Sequence, residues 1–318
     1  MLDLTVIIVS WNVRDLLRRC LQSILTAQGL QIEIVVVDNA STDGSPEMVR
    51  AEFPQVHLLA NDENRGFTAA NNQGLALSQG RALLLLNPDT EVVGDALATM
   101  LETMRARPAV GIVGPRLLYP DGSLQSSRRR FPTFATALVE STVVQEWWAD
   151  NRILRRYYMD DTADDSADDA VQAVDWVVGA CLLVRRECYE QIGGLDEGFF
   201  MYSEELDWCR RAKTAGWGVV YLPTATIIHH EGKSSEQVVP ARHIHFQSSK
   251  VRYFRKHHGR WQACALRWFL LATYLYQWVR EGSKWLVGHK RPLRRDRMRA
   301  YQRVLSSGLS GHDSGSSR

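Results

Sequence analysis

The sequence predicts an α/β fold, a mostly parallel central sheet flanked by helices, and three observations predict it. Short runs of Val, Ile and Leu alternate with helix-period segments from residue 4 to residue 113, which marks βαβ units. Between the first two runs, Arg14–Thr26 puts Leu16, Leu17, Cys20, Leu21, Ile24 and Leu25 on one helical face. Polar clusters directly follow three of the runs, where open α/β sheets place their ligand-binding loops.

In order, the strands are Leu4–Val9, Ile32–Val37, Val56–Leu59, Ala82–Leu86 and Val110–Val113. After Pro115 the pattern loosens through Arg128-Arg129-Arg130 and Trp147-Trp148 into paired acids, Asp160-Asp161, Asp164-Asp165 and Asp168-Asp169. Nothing apolar stands beside them to hold a rigid metal cage, and like charges repel, so they read as a solvated loop. Order returns at Val174–Val184 and in a helix over Glu204–Ala215, with Ser203 as its N-cap. A strand pair, Gly218–Leu222 and Ala225–His229, closes a first domain of residues 1–240. Residues 241–318 read as a helical, basic extension whose end is disordered from about residue 306.

Composition narrows the classes. At 45% hydrophobic and 23% charged over 318 residues, the chain is neither disordered nor fibrous. Its five cysteines are odd in number and contain no C-x-x-C pair, against a disulfide framework or a zinc cluster. A reducing cytoplasm is expected, and the N-terminus does not read as a signal peptide. Residues 241–318 carry 17 Lys+Arg against 3 Asp+Glu, a balance of +14 in a chain of net +2. Within Trp261–Trp285 only twelve uncharged residues separate Arg267 from Arg280, short of the roughly 20 a membrane span needs. Two readings stay open: an interfacial segment with basic residues on lipid head groups at the inner membrane surface, or a helix packed on the first domain. No nucleic-acid partner is expected.

The candidates for chemistry are Ser10-Trp11-Asn12, Asp38-Asn39 and Asn87-Pro88-Asp89. No G-x-G-x-x-G follows a strand, and Gly232-Lys233-Ser234 lacks the upstream glycine of a P-loop, which weakens dehydrogenase and P-loop readings. Asp38 either caps its own turn or recognises a base. Asp89 stands where a carboxylate holds Mg²⁺ or Mn²⁺ against phosphate oxygens. Glu204, Glu205 and Asp207 crowd a helix start, either complementing its dipole or supplying a general base that the dipole keeps ionised. His229 and His230 end a strand, so only one of them faces a given side; that one is structural or a metal ligand.

Taken together, these pieces resemble the family 2 glycosyltransferases, in particular the bacterial branch with rhamnosyltransferases of cell-surface polysaccharide assembly. The resemblance rests on Val6-Ile7-Ile8-Val9-Ser10-Trp11-Asn12, Val36-Val37-Asp38-Asn39-Ala40-Ser41-Thr42-Asp43-Gly44-Ser45, Asn64-Arg65-Gly66-Phe67 through Asn71-Asn72, and Leu86-Asn87-Pro88-Asp89. It continues through Gly193-Gly194-Leu195-Asp196-Glu197 and Phe200-Met201-Tyr202-Ser203-Glu204-Glu205-Leu206-Asp207. It implies a GT-A fold, a dTDP- or UDP-sugar donor and a divalent cation. On it, Ser10, Asn12, Asp38, Arg65, Asn71 and Asn87 line the donor site, with Asp38 on the base. Asp89 and His229 stand at the metal, and Glu205 at the catalytic base, with Glu204 and Asp207 as alternatives. Asn87 replaces the first Asp of D-x-D, and Glu205 replaces an Asp of the family's Glu-Asp pair.

The expectation is an inverting transferase moving a sugar, rhamnose by the branch, to a glycan or lipid-linked acceptor, peripheral on the cytoplasmic face of the cell membrane. Its rivals are a sugar-1-phosphate nucleotidyltransferase, whose Gly-rich first loop is missing here, and a non-catalytic, membrane-associated nucleotide-sugar binding module.

Overall fold

The computed structural model of the chain describes residues 2–27, 29–160, 170–230, 239–288 and 290–310. The acidic stretch from Asp161 to Asp169, the segment Glu231-Gly232-Lys233-Ser234 and the end beyond residue 310 lie outside the described residues.

Strand β1 (Leu4–Ser10) leads into α1 (Arg14–Leu25), β2 (Ile32–Asp38), α2 (Ser45–Glu52), β3 (His57–Ala60), α3 (Phe67–Leu77) and β4 (Ala82–Leu86). Every residue of β1 and β4 is buried; strands covered on both faces read as unbroken apolar runs. Helix α1 buries Leu17, Cys20, Leu21 and Ile24. Leu25, expected on that face, is 45% exposed because it falls at the rim of the buried arc.

Next come β5 (Thr90–Val92), α4 (Ala96–Ala106), β6 (Val110–Leu118), β7 (Leu124–Gln125), β8 (Arg128–Arg129), α5 (Phe134–Val139), α6 (Val143–Trp147) and α7 (Arg152–Tyr158). They are followed by β9 (Gln172–Ala173), β10 (Trp176–Val177), β11 (Cys181–Arg185), α8 (Arg186–Ile192), α9 (Glu204–Thr214) and β12 (Gly218–His229). Helices α10 (Val239–His257), α11 (Arg260–Leu286) and α12 (Arg291–Ser307) complete the chain's regular elements.

One sheet runs β3-β2-β1-β4-β11-β6-β12-β5, with β7 on β6 and β9 on β12, while β8 and β10 form a separate ribbon. Strands β3, β2, β1 and β4 are mutually parallel, and β12 is parallel to β6. The sheet is thus mostly parallel, as expected, but β11 runs antiparallel to both β4 and β6. Three boundaries differ from the sequence reading by more than a residue, the first being β6, which runs to Leu118 and past the expected end at Val113. The expected strand pair after residue 218 is one strand, β12, whose register on β6 shifts between Leu222 and Thr226; Pro223, which has no N–H for the ladder, sits in that irregularity. The segment Val174–Val184 divides into β10 and β11 around Gly179.

The chain forms two compact units. The first holds the described residues of Met1–Phe131, Asp161–Glu197 and Glu204–Ser234, and therefore the sheet. The second holds those of Pro132–Asp160, Gly198–Ser203 and Ser235–Arg318 and is helical. Its core includes Tyr253, Phe254, Leu266, Leu270 and Val304. Buried ion pairs join Lys250 to Glu140 and Arg294 to Glu281. Among the described residues no helix is long and apolar enough to cross a membrane.

Helix α3 lies so close to β1 that a Cβ on Gly74 would stand 2.4 Å from Ile7 Cγ2. Gly74→Val therefore overpacks this contact and costs about 1–3 kcal/mol, read from the urea midpoint. An unchanged midpoint would mean that α3 stands off the strand.

Candidate functional site

The site is assembled at the carboxyl edge of the first unit's parallel strands. Register pairs Ser10 with Asp38 at the ends of β1 and β2, and the Asn39 N–H still donates to the Ser10 carbonyl at 2.8 Å. Beyond them the two loops are stitched together. Asn12, at φ 53°, accepts from the Thr42 N–H at 2.8 Å and donates its own N–H to Ser41 Oγ at 2.9 Å. Asp43 accepts from the Arg14 N–H at 2.8 Å, satisfying one of the open donors of α1.

Asp38 is held inside this weave, 1% exposed. One carboxylate oxygen accepts from the Ser41 N–H at 2.8 Å. The other, Oδ1, is buried with no partner among the described residues. Burial pushes this carboxyl up from its ordinary value, against the pull of Ser41. Ser10 Oγ, Thr68 Oγ1 and Asn87 Oδ1 are likewise buried and unpartnered among the described residues. Native proteins rarely leave such groups unmade, and here they gather at the ends of β1 and β4 and the start of α3.

Asn87 continues β4, and its N–H donates to the Ala180 carbonyl at 2.9 Å. Two residues on, Asp89 is 5% exposed, with Oδ1 3.4 Å from His229 Nε2. The other ring nitrogen of His229, Nδ1, lies 2.9 Å from Gln125 Oε1 on β7. With Nδ1–H donated to that amide oxygen, Nε2 keeps its lone pair toward Asp89, the second-sphere arrangement that orients ligating histidines. His230 turns the other way and meets Glu91 at 2.7 Å. Among the described residues no cluster of three or more His, Cys, Asp or Glu is disposed to hold a metal ion. Asp89, His229 and the orphan Asn87 oxygen nevertheless suit a cation that takes its remaining ligands from phosphate and water.

The acidic helix start lies at the same edge. Gly179 precedes β11 beside Asn87, and a Cβ there would stand 3.3 Å from Glu205 Cβ, so the glycine leaves room for the glutamate. Glu204 Oε2 and Glu205 Oε2 are both buried without partners among the described residues. Burial raises both carboxyls, Glu204 well above its ordinary value with Glu205 adding repulsion. For Glu205 the N–H groups of Glu205, Leu206 and Gly179 and the charge of Arg129 pull the other way and lose. The helix terminus was expected to keep the base ionised; desolvation outweighs it. Ser203, expected to cap α9, has φ 65° and follows Tyr202 at φ 70°, both left-handed instead of the extended form of a capping serine.

The remaining candidates are placed differently. Asp207 accepts from Arg211 Nε at 2.9 Å, and that guanidinium also reaches the Gly194 carbonyl at 2.6 Å, so this carboxylate braces the loop before α9. The Arg65 side chain is exposed, while its N–H reaches Asn39 Oδ1 at 3.4 Å. Asn71 donates to the Phe67 carbonyl of its own helix at 2.9 Å. Its neighbour Asn72 ties α3 to Leu195 and Glu197. Asn72, which lies in a motif that carries the resemblance, and Gln125 and Gly179 are not among the site candidates read from the sequence; for Gly179 the signal is a glycine in an apolar run.

A family model for glycosyl transferase family 2 matches residues 5–163. The N-acetylglucosaminyl-diphospho-decaprenol L-rhamnosyltransferase of Mycobacterium tuberculosis is 31% identical over 280 residues, covering 84% of this chain and 89% of its own. The chain belongs to glycosyl transferase family 2. It is a glycosyltransferase of the rhamnosyltransferase-like branch. A low-salt glycan biosynthesis hexosyltransferase of Haloferax volcanii is 26% identical over 79% of this chain and 72% of its own. Among solved structures, a mannosyltransferase from Pyrobaculum calidifontis in complex with GDP-Man and Mn²⁺ superposes with a TM-score of 0.56 at 19% identity, covering 96% of this chain and 87% of that one. GalNAc-T7 with UDP, GalNAc and Mn²⁺ superposes with a TM-score of 0.58 at 15% identity over 98% of this chain and 58% of that one. Both likenesses show the GT-A fold.

The glutamate pair makes stability depend on pH. A carboxyl whose pKa is higher folded than unfolded contributes stability that is full below the unfolded value and lost as pH rises through the folded one. Denaturation midpoints of the wild type should therefore fall as pH climbs above the ordinary glutamate range. In the Glu204→Gln/Glu205→Gln double variant the fall should shrink; an identical slope would place the two carboxyls in water.

Proposed function

We propose that residues 1–240 transfer a sugar, rhamnose in our reading, from a dTDP- or UDP-linked donor to a hydroxyl of a lipid-linked glycan, inverting the anomeric centre. The observation that carries this is the pair of buried carboxylate oxygens without a partner among the described residues, Asp38 Oδ1 and Glu205 Oε2, at one edge of the first unit. Asp38 suits the ring N–H of a pyrimidine, since its Oδ1 has no donor among the described residues. Glu205 suits a base: burial raises its proton affinity, and Gly179 leaves it room. The rhamnosyl and lipid-diphosphate chemistry named for the mycobacterial relative supports the donor and acceptor.

In the reaction, Glu205 accepts the proton of the acceptor hydroxyl as its oxygen attacks the anomeric carbon in line with the departing diphosphate. Asp38, Ser10 and the loop braced by Asn12 fix the nucleoside so that this line is held. The exposed Arg65 meets the charge that grows on the leaving group. Asp89 and His229 would hold a Mn²⁺ or Mg²⁺, which supplies Lewis-acid neutralisation of the diphosphate. The acceptor lipid places the enzyme at the cytoplasmic face of the cell membrane, held there peripherally.

Three measurements test this. Thermal shifts with dTDP, UDP, GDP and NAD, with and without Mn²⁺, should single out one pyrimidine diphosphate in a metal-dependent way; no shift with any of them would bring back a non-catalytic protein. In a transfer assay Asp89→Ala and Glu205→Gln should each abolish turnover while leaving the fold intact, Glu205→Gln still binding the nucleotide, and near-normal turnover in either would remove that residue from its role. Gln125→Leu should weaken Mn²⁺ binding to the nucleotide complex by about 10–100-fold in calorimetry, with Gln125→Glu restoring much of it; equal affinities would reduce Gln125 to packing.

A further inference from the structure

Helix α11 of the second unit is covered on one side only. Ala263, Leu266, Leu270, Thr273, Tyr274 and Glu281 are buried. Opposite them Trp261, Trp268, Leu275, Val279 and Leu286 are exposed by 90%, 63%, 52%, 55% and 72%. Their spacing of seven, seven, four and seven residues keeps all five within an arc of about 40° along a stripe roughly 37 Å long. Exposed Ala265 and Ala272 fill the gaps, and no charged residue interrupts the line. Trp147 extends it from α6, its ring edge-on to Tyr276 at 5.5 Å and 65% exposed. A continuous exposed apolar face of this size marks an interaction surface.

Charge selects the occupant. From residue 260 to residue 310 there are 11 Lys+Arg against 2 Asp+Glu, a balance of +9, and one of the two acids, Glu281, is already paired with Arg294. Arg291, Arg295, Arg297, Arg299 and Arg303 are exposed on α12, the helix packed against α11. A second copy of the chain would bring this positive surface against itself. An anionic bilayer instead offers acyl chains to the tryptophans and phosphates to the arginines.

We propose that α11 lies in the plane of an anionic membrane, with the Trp261–Leu286 stripe sunk to the head-group boundary and the α12 arginines on the lipid phosphates. This deepens the peripheral location proposed above and names the surface responsible. The test is co-sedimentation of the full chain with vesicles of phosphatidylcholine alone or with about one third phosphatidylglycerol, beside Trp261→Ser/Trp268→Ser/Leu275→Ser and Arg295→Gln/Arg299→Gln/Arg303→Gln. All six positions are exposed, and unchanged melting temperatures verify the fold. Binding should require the anionic lipid, drop about tenfold or more in the first variant, and lose its salt sensitivity in the second. Bromine-labelled acyl chains should quench tryptophan fluorescence in the wild type. Transfer to a short-chain, water-soluble acceptor should be unaffected in both variants, which separates this inference from the proposed reaction. Equal partition of wild type and the serine variant would overturn it. So would a dimer in light scattering that the serine substitutions dissolve, which would assign the stripe to a second copy.

Discussion

The whole site depends on the reversal of one strand. Because β11 runs against β4, its N-terminal end lies beside the carboxyl end of β4, with Cys181 opposite Leu86. Laid parallel to β4, β11 would deliver Gly179 to the far edge of the sheet. As built, Gly179 and Ala180 reach the loop of Asn87, and the empty Cβ position of Gly179 admits the Glu205 side chain. One antiparallel pairing thus joins two segments almost 120 residues apart in sequence, Asn87 and Glu205, at a common edge.

That edge is held at an energetic cost. A buried polar group left unsatisfied costs about 1–3 kcal/mol, and the edge gathers one such oxygen, without a partner among the described residues, from each of Ser10, Asp38, Thr68, Asn87, Glu204 and Glu205. The burial of β1 and β4 on both faces and the packing of α1 beneath them supply the offset. A ligand that donates to Asp38 and Glu205 relieves the strain it finds there, so part of the folding free energy is stored as binding capacity.

What could be read in the sequence follows from how local each determinant is. The first four strands are marked by their own short apolar runs, and the polar loops behind β1, β2 and β4 by their position. The direction of β11 leaves no trace in its pattern, because an antiparallel strand buried on both faces has the same composition as a parallel one. Gln125 sits in a two-residue strand and meets His229 across 104 positions, a pairing no local pattern reveals. The upward shift of the two glutamates is not legible in the sequence, because the helix dipole is a local effect while desolvation is set by everything that closes around them. Residues 198–203 show the same limit from another side, since they belong to the helical unit though flanked on both sides by segments of the sheet unit.

The two histidines that end β12 show how far a simple period can be taken. Alternation along a strand requires that they point to opposite sides, and the register of β12 on β5 decides which side each one takes: His229 lies opposite Thr90 and Ile228 opposite Glu91. His230 therefore reaches Glu91 with its ring while its N–H donates to the Asp89 carbonyl at 2.9 Å. The backbone of Asp89 is consequently pinned by the same strand end that presents His229. Asp89 stands in the short turn between β4 and β5, so its separation from His229 is set by that turn together with the register of β12 on β5, and sites braced by regular elements hold their geometry better than sites on free loops. A cation shared by these two residues would meet ligands already in place, and the ordering entropy that a mobile loop would lose on binding has been spent in folding the sheet.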